Sequence, residues 1–183
     1  VARGGGNFNV WTERTANFAR ILGRNQDPDL MSTVGQTIRL SRENGIHPRN
    51  VSIDDTGVGA GVTDRMKEQM FYVKPVKLGE KAFDELKFKN KRAECYWKLK
   101  VWLMSGGKLN ALDDWSDLKT IKYKADSTGR LQIMSKDEMM KYGWESPDVA
   151  DSLMLTFAYP PYSKLQEELE VKKDEVFNRF DIF

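Results

Sequence analysis

The sequence has few residues of the kinds that build disulfides or soft-metal sites. It contains one cysteine, Cys95, and one histidine, His47, among 183 residues. A single thiol excludes an internal disulfide framework and a cysteine-based zinc site, and a single imidazole excludes a histidine-rich metal site. Any metal ion that the chain holds must therefore be bound largely by oxygen.

Long apolar segments are also missing. No run of about 18 apolar residues occurs, and the N-terminus lacks a signal-peptide pattern. We therefore expect a soluble intracellular protein, and the start at Val1 without a methionine suggests a fragment of a longer one. The 40% hydrophobic content is enough for one domain with a core plus appendages. A net charge of +2 does not indicate a nucleic-acid partner, so only local clusters of basic residues would do so.

The most informative stretch runs from residue 51 to residue 64. Val51 and Ile53 alternate with polar neighbours as in a β-strand, Asp54 and Asp55 close the strand, and three glycines follow at alternate positions. Ligands of open α/β sheets bind outside the carboxyl ends of the strands, which makes Asp54 a candidate metal ligand. Either acid would also serve as a helix or turn cap. The glycines resemble a dinucleotide fingerprint only superficially, because the acids precede them and the spacing departs from it.

The order of the remaining patterns predicts an α/β fold, since strand, helix and strand alternate as in a parallel sheet. Predicted strands cover residues 8–13, 16–22, 51–54 and 71–76, a hairpin covers 120–133, and helices cover 27–44, 62–70, 90–105, 135–142 and a segment that starts at 146. Asp27 is predicted to cap the first helix, and Ser135 with Glu138 fits a capping box. Ser146 is predicted to cap the last core helix, with Pro147 at its first position.

That last core helix carries two acids, Asp148 and Asp151. Their three-residue spacing predicts that both carboxylates point to the same side of the helix. An aspartate in a first helical turn also complements the helix dipole without any metal. Asp148 alone therefore does not indicate a site.

Three segments taken together resemble a known family. They read DDTGVGAGVTD from Asp54, SKDE from Ser135 and SPDVAD from Ser146. In this order they resemble the C-terminal nuclease domain of large terminase subunits from tailed bacteriophages. The resemblance covers residues 1–160 and implies a ribonuclease H-like α/β domain, in which helices flank a central mixed β-sheet, here with an added β-hairpin. Residues 161–183 would form a charged helical tail.

The resemblance also implies the ligands of two divalent ions, Mg²⁺ or Mn²⁺. Asp54 matches the acid at the end of the family's fourth strand, Asp148 matches the acid that opens the late helix, and Asp151 is a companion that binds directly or through water. The family's first acid would fall immediately upstream of Val1, and Gly6 and Asn7 stand where a further acid is often found. We therefore expect the metal site of this chain to be incomplete.

The function implied is that of an endonuclease that cuts concatemeric double-stranded viral DNA during genome packaging, by two-metal hydrolysis with little sequence specificity. Partners would be a packaging ATPase domain, the portal or procapsid and the small terminase, in the host cell cytoplasm. Basic side chains would contact DNA phosphates: Lys81, Lys87, Lys89, Lys91 and Arg92 in a loop, Lys122, Lys124 and Arg130 on the hairpin, and Lys136. The alternative for the loop residues is a solvated loop without a DNA contact. A ribonuclease H-like junction resolvase and a non-catalytic DNA-gripping or capsid-docking module are the alternative functions.

Overall fold

The computed structural model describes residues 7–163, except the side chains of Val58 and Lys136. The strands are β1 (Asn9–Arg14), β2 (Phe18–Asn25), β3 (Ser52–Asp54), β4 (Lys74–Val76), β5 (Lys108–Leu109), β6 (Tyr123–Ala125) and β7 (Leu131–Ile133). The helices are α1 (Leu30–Glu43), α2 (Val58–Glu68), α3 (Lys91–Met104), α4 (Lys136–Lys141) and α5 (Asp148–Leu155), with 3₁₀ helices at Pro48–Asn50 and Ser116–Thr120. Of the tail predicted at residues 161–183, residues 161–163 are described and are not helical, and residues 164–183 lie outside the described residues.

The described strands form three hydrogen-bonded sheets rather than one central sheet. β1 and β2 are the predicted antiparallel hairpin, and the short β5 adds to β2 in parallel. β3 and β4 pair in parallel, as the strand, helix and strand order predicts, and β6 and β7 form the added hairpin. Residues of β1, β3 and α5 line one cavity of about 130 Å³ between the first two sheets.

Two helices begin at residues other than those predicted. Asp29, not Asp27, is the N-cap of α1: its carboxylate accepts the Met31 N–H at 2.8 Å, whereas the carboxylate of Asp27 accepts the N–H of Asp29. α2 starts at residue 58 instead of 62, because Gly57 takes a φ of +63°, a conformation open to glycine that turns the chain into the helix early. The glycine-rich segment is therefore largely helical.

The core consists of two clusters of buried side chains. The smaller cluster packs Val34 of α1 against Ile53 and Met66. The larger one packs α3 against α5 through residues such as Tyr96 and Leu153, and it includes Cys95, whose pKa burial raises to about 11. Trp97, Trp102 and Trp115 are partly buried and lie against this larger cluster. Helix α5 is thus held between α3 and β1, which fixes the position of its acidic N-terminus.

No helix within residues 7–163 combines the length and the apolar character needed to cross a membrane.

Candidate active site

Asp148 is the first residue of α5, and its carboxylate is fixed where β1 begins. Oδ2 accepts a hydrogen bond of 2.6 Å from the backbone N–H of Phe8, and Oδ1 accepts one of 2.7 Å from the Ser146 hydroxyl. Each carboxylate oxygen has two lone pairs, so both oxygens keep the capacity to bind a cation. The contacts of Asp148 therefore orient the carboxylate without using up its acceptor capacity.

The N-terminus of α5 is capped by Asp117, a residue that sequence reasoning missed. Pro147 occupies the N-cap position and makes no side-chain cap, while Oδ2 of Asp117 accepts the N–H of Val149 at 2.9 Å. The prediction that Ser146 is the N-cap is therefore wrong, because its hydroxyl donates to Asp148 instead. No local pattern could have identified Asp117, since it reaches α5 from the distant 3₁₀ helix at residues 116–120.

Asp117 also concentrates negative charge beside Asp148. Burial raises the pKa of Asp117, and the charge of Asp148 raises it further, whereas the Val149 N–H and the Arg24 guanidinium lower it. Two carboxylates and one guanidinium therefore meet at this end of α5. A carboxylate pair of this kind favours a bound cation, because a positive ion relieves the repulsion between the two negative charges.

The two adjacent acids at the end of β3 have different surroundings. Asp54 lines the cavity that Asn9 of β1 and Ser152 of α5 also line, and its Oδ1 accepts the N–H of Thr56 at 3.0 Å. Asp55 is engaged with the following helix, because its Oδ1 accepts the hydroxyl of Thr63 at 2.5 Å. The choice of Asp54 over Asp55 as a ligand stays a prediction, and the position of Asp54 on the cavity favours it.

Gly59 allows α2 to approach the strand end that carries Asp54. A β-carbon at position 59 would lie 1.6 Å from the carbonyl oxygen of Asp54, a distance that no pair of non-bonded atoms can adopt. The glycine at this position is therefore required by packing, and it needs no nucleotide ligand to explain it. The same packing places the backbone of Asp54.

Replacing Gly59 by alanine should lower the free energy of unfolding by about 1–3 kcal/mol, since the backbone must move to relieve the overlap. This loss should appear although alanine favours a helix more than glycine does. Gly35→Ala in α1 is the matched control, because a β-carbon there meets no atom within 4 Å. Chemical denaturation of both variants measures the effect, and equal stability of the two would contradict the packing role of Gly59.

Asp151 lies one turn after Asp148, but its carboxylate contacts α3. Oδ1 accepts the hydroxyl of Tyr96 at 2.6 Å and a guanidinium N–H of Arg92 at 3.1 Å. The two carboxylates therefore have different partners: Asp148 is bonded to Phe8 and Ser146, whereas Asp151 is bonded to α3. Helix spacing alone does not report which neighbouring helix supplies partners.

The described residues do not assemble the predicted set of three aspartates. Within residues 7–163, no group of three or more His, Cys, Asp or Glu side chains is placed to hold a metal ion. Asp54 lines the cavity along β1, Asp148 is bonded to Phe8 at the start of β1, and Asp151 is bonded to α3. The individual metal-binding roles remain predictions.

The basic loop and the hairpin, which the sequence presents as separate segments, form one surface. The N–H of Lys89 donates to the carbonyl of Leu131 at 2.9 Å, and the N–H of Leu131 donates to the carbonyl of Lys87 at 2.8 Å. A parallel bridge between Phe88 and Leu131 thereby adds the loop to the edge of β7. Lys87 and Lys89 consequently lie beside the hairpin.

Four of the nine basic residues predicted to contact phosphates form ion pairs with acidic side chains in this region. The ion pairs are Lys81–Glu85, Lys91–Glu80, Lys124–Glu138 and Arg130–Asp126. The Lys81–Glu85 and Lys124–Glu138 pairs are exposed and contribute little to stability, so exchange of their acidic partners for a phosphate costs little. Lys122 is exposed. Arg92 is different: its side chain is only 15% exposed and is bonded to Asp151 and the carbonyl of Met134. It is therefore less accessible to a phosphate than the other basic residues, and its contact with DNA stays a prediction.

Comparison with known proteins rests on structure. No protein-family model and no curated protein sequence matches the chain. The nuclease domain of the large terminase subunit gp2 of bacterial virus Sf6 superimposes with a TM-score of 0.74 at 23% identity, over 87% of this chain and 86% of that chain. A lysine-to-alanine variant of that domain with manganese gives a TM-score of 0.71 at 22% identity, over 82% and 83% of the two chains.

A more distant structure agrees. The large terminase nuclease of thermophilic phage G20c with bound magnesium superimposes with a TM-score of 0.54 at 15% identity, over 82% of this chain and 80% of that chain. These values confirm the α/β fold class and the resemblance that the three sequence segments indicated. The chain shares its fold with these large terminase nuclease domains.

Proposed function

We propose that this chain is the nuclease domain of a phage genome-packaging motor, a divalent-metal-dependent endonuclease that cuts concatemeric double-stranded DNA with little sequence specificity. The observation that carries the proposal is the position of Asp148. In a fold shared with terminase nucleases, its carboxylate is held by the Phe8 N–H at the start of β1, and Asp54 lines the cavity that extends along the same strand.

The donor set fits a hard divalent ion. Asp54 and Asp148 supply carboxylate oxygens, which Mg²⁺ and Mn²⁺ prefer over nitrogen or sulfur. One oxygen of Asp54 accepts a hydrogen bond from a backbone N–H, and both oxygens of Asp148 accept one bond each, so that lone pairs remain on both groups. We assign Asp54 and Asp148 as metal ligands, and Asp151 as a residue that acts through α5.

The chemistry is hydrolysis of a phosphodiester bond. Asp54 and Asp148 would hold the divalent ions, which would make a water molecule nucleophilic and neutralise charge on the leaving oxygen. The protein's own residues supply orientation: the Phe8 N–H and the Ser146 hydroxyl hold the Asp148 carboxylate in one direction, and Asp117 holds the N-terminus of α5. This preorganisation means that the ligands need not rearrange when DNA binds.

DNA would be held by the basic surface formed by the loop at residues 81–91 and the β6–β7 hairpin. Its lysines and Arg130 would contact phosphates without reading base sequence, so that binding should weaken steeply as salt rises. Lack of sequence readout suits an enzyme that cuts packaged DNA of any sequence. In the complete protein, the partners would be a packaging ATPase domain, the portal or procapsid and the small terminase, in the cytoplasm of the host.

The test uses the full-length protein and supercoiled plasmid. Cleavage is expected with Mn²⁺ or Mg²⁺ and should stop completely when EDTA removes the metal. Mn²⁺ alone should also raise the melting temperature in the absence of DNA, since a ligand that binds only the folded state stabilises it.

Two outcomes would contradict the proposal. DNA binding without cleavage in either metal would favour a DNA-gripping or docking module. Cleavage of a four-way junction in strong preference to linear duplex would favour a junction resolvase.

A further inference from the structure

Arg24 is an exposed cation beside the candidate active site to which no role has been assigned. It lies on β2 opposite Val10 of β1, and the carbon of its guanidinium lies 3.6 Å from the centroid of the Phe8 ring. The backbone N–H of the same Phe8 donates to Asp148. One residue thus connects the guanidinium to the carboxylate that is predicted to bind metal.

Arg24 forms no ion pair with any carboxylate within residues 7–163. Its guanidinium stacks on the ring of Phe8. The charge of Arg24 lowers the pKa of Asp114 and of Asp117, but among the described residues neither carboxylate lies within ion-pair distance of it. Stacking on an aromatic face holds the plane of a guanidinium but leaves the N–H groups at its edge free to donate. Arg24 is therefore oriented, with its N–H donors available.

The surroundings explain why a cation is needed at this place. Asp117 and Asp148 concentrate negative charge at the end of α5, and such charge repels an approaching phosphodiester. A guanidinium offers two parallel N–H donors that match two oxygens of a phosphate, a geometry that lysine cannot supply.

We propose that Arg24 binds a backbone phosphate of the DNA strand that lies at Asp148. This inference rests on the proposed nuclease function and deepens it. It adds a phosphate-binding residue on β2, outside both the loop at residues 81–91 and the hairpin. Arg24 is a positioning residue for the substrate, and Phe8 fixes its orientation.

The test compares Arg24→Gln with Arg20→Gln in the full-length protein. Arg20 lies on the same strand but is already paired with Glu13 at 2.6 Å and bonded to Asn44 at 2.9 Å, which makes it a matched control. Binding of a fluorescent duplex is measured without metal over a range of salt concentrations. Loss of one phosphate contact should reduce the slope of log K against log salt by about 0.9 in Arg24→Gln. Arg20→Gln should keep the wild-type slope.

Kinetics supply a second readout. Arg24→Gln should raise KM for plasmid about tenfold, the change expected from about 1.4 kcal/mol of lost charge-assisted hydrogen bonding, and Arg24→Lys should recover only part of it. The rise in melting temperature on addition of Mn²⁺ should be unchanged, because Arg24 is not a ligand.

A wild-type salt slope in Arg24→Gln, or an equal reduction in both variants, would overturn the assignment. A role confined to stacking on Phe8 would lower the melting temperature and leave the slope intact, which would also overturn it. If the wild-type protein binds DNA but does not cut it, the nuclease proposal fails, whereas the salt slopes still decide whether Arg24 contacts a phosphate.

Discussion

Replacing Asp54 by asparagine should reduce metal-dependent DNA cleavage by more than about a hundredfold. Residues that merely support a metal ligand typically cost about 10–100-fold when they are changed, so loss of a ligand carboxylate should exceed that range. The fold should survive, because the amide oxygen of asparagine can still accept the Thr56 N–H that now bonds to Asp54. The measurement is the initial rate of plasmid nicking and linearisation at saturating Mn²⁺.

The neighbouring Asp55 provides the matched control. Its carboxylate accepts the hydroxyl of Thr63 in α2 and does not line the cavity beside β1. Asp55→Asn keeps an acceptor for that hydroxyl and removes the same charge one residue away. We expect its cleavage rate to stay near that of the wild type. Equal loss in both variants would show that the site depends on total negative charge, and no loss in either would remove Asp54 from the metal site.

Melting temperatures measured with and without Mn²⁺ distinguish the loss of a metal ligand from the loss of folding stability. Asp54→Asn should reduce the rise in melting temperature that Mn²⁺ produces, while the melting temperature without metal stays close to that of the wild type. Asp55→Asn should keep the full Mn²⁺ effect. A large drop in the metal-free melting temperature of Asp54→Asn would instead assign the lost activity to unfolding.

Features with a local signal could be predicted from the sequence. The capping box is present as expected, since the Ser135 side chain accepts the N–H of Glu138 and Glu138 accepts the N–H of Ser135. The two hairpins and α3 also follow from alternation and from turn and cap residues close to them in sequence. Local hydrogen bonds and side-chain periodicity decide these elements, and both can be read within a few residues.

Features that depend on contacts between distant segments could not be predicted in the same way. Asp117 caps α5 from a different part of the chain, so the residues just before α5 gave the wrong cap. Asp29 rather than Asp27 caps α1, and the carboxylate of Asp27 accepts the N–H of Asp29 instead. The burial of Arg92 in a basic segment also had no local sign, because its partner lies on α5.

Replacing Arg92 by methionine should lower the free energy of unfolding by about 3–5 kcal/mol. Arg92 and Asp151 form an ion pair in which each side chain is 15% exposed, and removal of one partner leaves an uncompensated buried charge. Burial lowers the pKa of Arg92, but the charge of Asp151 and its hydrogen bond to the guanidinium raise it and leave the pKa above its ordinary value. The guanidinium is therefore charged in the folded protein at neutral pH.

A double-mutant cycle isolates the pair. Arg92→Met leaves the charge of Asp151 without its cation, whereas Arg92→Met combined with Asp151→Leu removes both charges and should recover much of the lost stability. The matched control is Arg39→Met, whose ion pair with Glu43 is about half exposed and should contribute less than about 1 kcal/mol. Urea denaturation of these variants gives the coupling energy. A loss in Arg92→Met no larger than in Arg39→Met would show that water screens the Arg92 pair as it does a surface pair.

The Arg92–Asp151 ion pair connects the stability of the protein with the candidate active site. Tyr96 and Arg92 of α3 hold Asp151, and Asp151 lies one turn from Asp148 on the same short helix. Burial raises the pKa of Tyr96 and the charge of Asp151 raises it further, so the Tyr96 hydroxyl keeps its proton and continues to donate to Asp151 when Arg92 is replaced. The remaining hydrogen bond should keep α5 in register at low temperature. We therefore expect Arg92→Met to cut DNA near the wild-type rate well below its melting temperature and to lose activity in step with unfolding as the temperature rises.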